Sequence, residues 1–181
     1  THSFDMLGEA AYTRADATKY FNAYLSAIEQ LGNLERPADV PAPSISIKLS
    51  ALHPRYESHN RAQVMEQLGN SIAQLVSKAK SLNVAVTIDA EEADRLELSL
   101  DLFEQIFNSE LCQDWESFGL VVQAYSKRAL PVLVWLQQLA KKTGRQIPVR
   151  LVKGAYWDSE IKWAQQAGLS GYPVFTRKAG T

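Results

Sequence analysis

The chain has 181 residues, 46% of them hydrophobic and 22% charged, with a net charge of −1. That length supports one domain with a real core, and the balanced charge argues against the basic surplus that accompanies phosphate-backbone binding, so no nucleic-acid partner is expected. No apolar run approaches the ~20 residues needed to span a bilayer, and no basic-then-apolar leader opens the chain, so a cytoplasmic location is expected.

Strand-like and helix-like segments alternate. "THSFDML" at 1–7 opens as a strand, and 13–31 has helical spacing with Thr13 as N-cap. "RPADVPAPS" at 36–44 holds three prolines and reads as a loop. "SISIKLSAL" at 44–52 alternates small polar residues with Ile and Leu, a strand signature, and 58–81 reads as a helix capped by Ser58. "VAVTIDA" at 84–90 is a third strand, followed by an acid-started helix over 91–107. "FGLVVQAY" at 118–125 is a fourth strand, and the helix over 129–143 tolerates Pro131 in its first turn. "IPVRLV" at 147–152 is the fifth strand, and "DSEIKWAQQAG" begins a fifth helix.

Strand–helix repetition implies parallel strands with helical crossovers, either an open doubly wound sheet or part of a (β/α)8 barrel of the TIM type. GxGxxG and GxxxxGK[ST] are both absent, which weakens the nucleotide-binding open sheet. Parity favours the barrel. Ser44, Ser46, Lys48 and Ser50 share one face and Ile45, Ile47 and Leu49 the other, while Asp89 lies with Thr87, Gln123 with Val121, and Arg150 with Val152. Barrel active sites draw on the C-terminal ends of several strands, where Lys48, Asp89, Gln123 and Arg150 all fall. Their separations of 41, 34 and 27 residues are compatible with one βα unit each. About five of eight units are thus expected over 1–181, up to the start of the fifth helix.

The inward set holds two cations, one anion and one amide, which suits an anionic or zwitterionic ligand, or a cofactor that gains negative charge during reaction. Arg150 reads either as a ligand group or as the ion-pair partner of Asp89. Lys153, three residues on, faces the other way or lies beyond the strand end; it is either a solvated lysine or a Schiff-base nucleophile of an aldolase-like lyase. Asp89, Glu91, Glu92 and Asp94 could suggest a divalent metal, but a helix first turn is rich in acids for reasons of its dipole. Tyr156 and Trp157 either cover the barrel rim or line a flat ligand. His53 reads as structural or solvated. Cys112, the single cysteine, has no partner for an internal disulfide and no adjacent base, and reads as filler. With three scattered His it gives no metal spacing, so no metal is expected.

At these residues the sequence resembles a known family. "THSFDMLGEAA", "SIKLSALHPRY", "IDAEEADRLE", "QAYSKR" and "RLVKGAYWDSEIK" are similar to the proline dehydrogenase domain of the bifunctional proline utilization A flavoenzymes. The resemblance implies a (β/α)8 barrel that binds FAD non-covalently and oxidises L-proline to Δ1-pyrroline-5-carboxylate by hydride transfer to flavin N5. It also implies a membrane quinone as electron acceptor, hence a location peripheral to the inner membrane, and leaves oligomer contacts to regions outside this stretch. By the same resemblance Arg150 sits beside flavin N5 and Asp89 is an active-site aspartate. Gln123 contacts the flavin, and Val152, Lys153, Gly154, Ala155 and Trp157 follow the cofactor. Lys48 pairs with the substrate carboxylate, Tyr156 lines the proline pocket, Glu9 is an acidic gate, and Thr176 and Arg177 lie near the adenosine side. The family's last three strands and its late arginine-bearing helix have no counterpart in the 181 residues, so this piece alone is expected to be inactive. A non-catalytic part-barrel serving assembly is the remaining alternative.

Overall fold

The computed structural model describes residues 2–6, 8, 10–37 and 39–181, with Lys178 described by its backbone. Five strands, β1 (Ser3–Asp5), β2 (Ser44–Ile47), β3 (Ala85–Ile88), β4 (Phe118–Gln123) and β5 (Val149–Val152), pair in sequence order and all in parallel. Helices α1 (Arg14–Gly32), α2 (Arg61–Ser81), α3 (Leu96–Phe107) and α4 (Ala129–Thr143) make the crossovers, and α5 (Trp157–Gln166) follows β5. The sheet is half of a (β/α)8 barrel, as parity implied.

The outer face of the sheet explains the core. Ile45, Ile47, Val86, Ile88, Leu120 and Val122 point toward the helices and are at most 4% exposed. They meet Tyr24 and Ile28 of α1, Val64, Leu68 and Ile72 of α2, and Leu98, Leu102 and Phe103 of α3, all in one buried cluster. These positions recur at helical spacing, so each helix buries a stripe on the sheet. The opposite face carries Ser3, Asp5, Ser44, Ser46, Thr87, Val121, Arg150 and Val152, placed side by side by the register. Gly119 of β4 has no room for a side chain, since a Cβ there would lie 2.1 Å from the Pro148 carbonyl oxygen. β5 is the thinly covered edge, with Leu151 60% exposed on its outer face.

Thr13 caps α1 as expected. Its hydroxyl accepts from the Asp16 N–H at 3.1 Å, and the Asp16 carboxylate accepts from the Thr13 N–H at 2.9 Å. Several boundaries differ from the sequence reading. The second strand stops at Ile47, and Leu49–Ala51 form a 3₁₀ turn. Ser58 does not cap a helix: Ser58–Asn60 are a 3₁₀ turn, α2 begins at Arg61, and the Ser58 hydroxyl donates instead to the Asp94 carbonyl. The third helix begins at Leu96 rather than 91, after a 3₁₀ turn over Ala93–Arg95. Among the described residues no helix is long and apolar enough to cross a membrane.

Candidate active site

The C-terminal ends of β1, β2, β3 and β5 bring four charges together. Lys48 follows β2 in extended conformation (φ −89°, ψ 120°), so it keeps the inward direction of Ser46 although the strand has ended. Its Nζ donates to Asp5 Oδ1 at 2.7 Å and lies 3.5 Å from Asp89 Oδ2. Asp89 Oδ1 accepts from Arg150 Nη2 at 2.5 Å. Arg150 Nη1 reaches on to the Ser46 hydroxyl at 2.8 Å and the Ser3 hydroxyl at 3.0 Å. One guanidinium on β5 therefore contacts β1, β2 and the end of β3, which only an inward-curved sheet permits.

The electrostatics follow from burial and pairing. Burial pushes the Asp89 carboxyl up from its ordinary value, while first Arg150 and then Lys48 oppose that push. For Lys48, burial alone would lower the ammonium; the Asp5 hydrogen bond and the charges of Asp89 and Asp5 outweigh it, and the net direction is upward. The backbone N–H of Lys48 donates to the Tyr24 hydroxyl at 3.1 Å. Tyr24 is itself pushed up to about 12, chiefly by burial, and stays a neutral phenol.

Behind the charges lies a set of braces. Gln123 donates through Nε2 to the Glu91 carbonyl at 2.9 Å and accepts at Oε1 from the Ala155 N–H at 3.0 Å. It ties the loop after β3 to the loop after β5. The Tyr125 hydroxyl accepts from the Tyr156 N–H at 3.2 Å, and the Tyr125 N–H donates to the Lys153 carbonyl at 3.0 Å. Glu91 Oε1 accepts from the Ser50 N–H at 3.0 Å, and Glu160 Oε1 accepts from the Ala93 N–H at 2.6 Å. Burial raises both carboxyls.

Ser50 is buried, so truncating Glu91 leaves its N–H without an acceptor. Glu91→Ala is expected to cost about 1–3 kcal/mol, and Glu91→Gln, which keeps an acceptor oxygen, distinctly less. Denaturant melts of the full-length protein check this, and equal losses in the two variants would contradict it.

A cleft of about 330 Å³ opens beside this framework, lined by Lys153, Gly154, Trp157, Thr176 and Arg177 together with Tyr125 and Phe175. The Trp157 indole N–H donates to the Phe175 carbonyl at 2.9 Å, which fixes the flat ring at the cleft wall. Two cations, a flat aromatic and backbone at a glycine make a donor set suited to a long anionic cofactor with an aromatic end.

A family model described as proline dehydrogenase matches residues 1–181, the whole chain. The chain belongs to the proline dehydrogenase family. The bifunctional protein PutA of Salmonella typhimurium is 50% identical over 182 residues, which cover 99% of this chain and 14% of that protein. Proline dehydrogenase 1 of Bacillus subtilis subsp. natto is 29% identical over 157 residues, covering 87% of this chain and 44% of the relative. A crystal structure of Bradyrhizobium japonicum proline utilization A superposes with a TM-score of 0.94 at 53% identity, covering 99% of this chain and 18% of that one. The chain thus spans a small part of the PutA proteins it matches.

Within this proline dehydrogenase family member, Lys48, Asp89 and Arg150 form one network, and Gln123, Val152 and Ala155 lie in the adjoining backbone ties. Lys153, Gly154, Trp157, Thr176 and Arg177 share the cleft, with Tyr156 held between the two groups through its backbone. Glu9 lies outside the described residues. Lys153 lines the cleft, and membership of the proline dehydrogenase family leaves the aldolase-like alternative without support. Glu91 and Glu92 pair with Arg95 rather than opening a helix. His53 is buried and structural, accepting from the Arg55 N–H at 3.1 Å with Gln67 at its other nitrogen. Cys112 is buried and pushed up to about 11 by that burial, as a filler should be.

The sequence reading does not mark Asp5, Tyr24 or Glu160. A three-residue strand is too short for its alternation to mark Asp5. Nothing local marks Tyr24, whose partner is 24 residues away.

Proposed function

We propose that the chain forms the first five strands of a flavin-dependent proline dehydrogenase that oxidises L-proline to Δ1-pyrroline-5-carboxylate. The observation that carries this is the Lys48–Asp89–Arg150 network at the strand ends of a sheet whose whole sequence matches the proline dehydrogenase family. FAD, when bound, supplies a hydride acceptor at N5. Every other role falls to the protein.

Arg150 is held in place by Asp89 and two serine hydroxyls, so its charge stands ready without reorganisation. A preorganised cation beside the flavin favours the electron-rich reduced form. Lys48 offers an ammonium to the proline carboxylate, and Tyr156 forms a wall of the substrate pocket. Val152, Gly154 and Ala155 follow the cofactor through backbone, and Gln123 presents its amide at the same edge. Lys153 and Arg177 suit the cofactor phosphates, Trp157 its flat adenine and Thr176 its ribose side. Glu9 serves as an acidic gate. A membrane quinone would be the electron acceptor of the full protein, which would then act at the cytoplasmic face of the inner membrane.

The test uses the full-length protein. It should purify yellow and bleach when L-proline is added without oxygen. Lys48→Ala should then raise the KM for proline about 30- to 100-fold with a smaller change in kcat, the mark of a lost charge-assisted contact made in ground and transition state alike. A colourless protein, or a flavin that proline leaves oxidised, would overturn the reading.

A further inference from the structure

We propose that Asp5 sets the affinity of the site for carboxylate ligands by competing with them for the Lys48 ammonium. This rests on the reading that Lys48 receives the substrate carboxylate. Asp5 is the nearer of the two anions on Lys48, at 2.7 Å against 3.5 Å for Asp89. The two differ sharply in freedom. Asp89 has a 10% exposed side chain and is held at its other oxygen by Arg150. Asp5 has no such second tie, since among the described residues Lys48 is the only cation in ion-pair range of it.

Charge balance gives the consequence. Asp5, Asp89, Lys48 and Arg150 sum to zero, so the empty network needs no counterion. A monocarboxylate arriving at Lys48 meets two anions already there. An ammonium has three donors; one is bonded to Asp5 and Asp89 lies 3.5 Å away, so a donor remains for a ligand. Geometry thus admits the ligand while the Asp5 charge opposes it. The backbone of Asp5 is fixed by its pairing with Ser46, so the carboxylate can turn away from Lys48 but cannot leave the site. Asp5 acts as a tethered carboxylate beside the place an incoming one must take, which selects for ligands able to make further contacts.

The experiment measures, by calorimetry on the full-length protein, the Kd of cyclopentanecarboxylate, which has a ring and carboxylate but no nitrogen to oxidise. Asp5→Asn keeps the shape and removes the charge, and should lower the Kd about three- to fivefold, the scale of one weak ion pair. Lys48→Ala should raise the Kd, and adding Asp5→Asn to Lys48→Ala should give no further gain, because the competition runs through the ammonium. Asp5→Ala, with no hydrogen-bonding group, should move the Kd in the same direction as Asp5→Asn. An unchanged or higher Kd in both Asp5 variants, with Lys48→Ala still weakening binding, overturns the competition and leaves the proposed function intact. An unchanged Kd in Lys48→Ala removes Lys48 from the carboxylate site and takes both statements with it.

Discussion

Replacing Arg150 by methionine is expected to slow proline-dependent flavin reduction by about two to three orders of magnitude, the scale seen when one preorganised charge or donor is removed from a reaction centre. Methionine keeps much of the side-chain bulk, so the change is mainly electrostatic. It removes the 2.5 Å contact to Asp89 and the fork onto Ser3 and Ser46 at once. Asp89 is left with Lys48 at 3.5 Å as its remaining cation, while burial continues to push its carboxyl up. Breaking a fully buried pair costs about 3–5 kcal/mol, but the Arg150 side chain is 38% exposed, and solvent screening reduces the expected loss to about 1–3 kcal/mol. A folded variant is therefore expected. Arg150→Lys should recover the charge but not the fork, and so should rescue stability better than rate. Stopped-flow reduction at a temperature well below each variant's Tm separates the two effects. A lowered Tm with an unchanged reduction rate would make Arg150 a structural residue alone.

The reason Arg150 could be found in the sequence is the period of two. A strand that packs helices on one face must alternate, and any charge on the other parity is directed into the barrel. Alternation alone places Ser46, Asp89 and Arg150, and it places Lys48 because ψ at 120° carries the extended path one residue past the last ladder bond. It fails where the deciding partner is far along the chain. Glu91 reads as a first-turn acid, yet its acceptor role is fixed by the Ser50 N–H, 41 residues away. Ser58 has the chemistry of an N-cap, but its hydroxyl is taken by the Asp94 carbonyl, 36 residues on. Asp5 sits on a strand of three residues, too short to display a period, and gains its meaning from Lys48, 43 residues on. Local pattern conveys which face a side chain takes; pairing between loops at the strand ends is tertiary and leaves little trace in any single segment.

Gly154→Ala is the second substitution expected to have a large effect. Gly154 has φ at +128°, a region that L side chains rarely adopt, and holding alanine there costs about 1–3 kcal/mol. The added Cβ would also sit 2.3 Å from Tyr125 Cδ1, 2.4 Å from Cε1 and 2.7 Å from Cγ. That is the root and edge of a ring rather than the tip of a flexible chain. Tyr125 cannot readily yield, since it is 4% exposed and its N–H and C=O are bonded to the Lys153 carbonyl and the Phe175 N–H. Overpacking of this kind adds about 1–3 kcal/mol, for a total of about 2–6 kcal/mol. The strain falls on the segment from Lys153 to Trp157, because the Tyr125 hydroxyl receives the Tyr156 N–H and the Ala155 N–H depends on Gln123. Flavin retained per mole of full-length protein should fall together with the denaturant midpoint, since Gly154 and Trp157 line the same cleft. A double variant separates the two causes. Tyr125→Ala relieves the contact but not the backbone strain, so Gly154→Ala should cost about 1–3 kcal/mol less in that background than in the parent. Equal costs in both backgrounds would assign the whole effect to φ. A cost below about 0.5 kcal/mol with flavin fully retained, as for an ordinary surface change, would mean that the loop is not locked against Tyr125 at all.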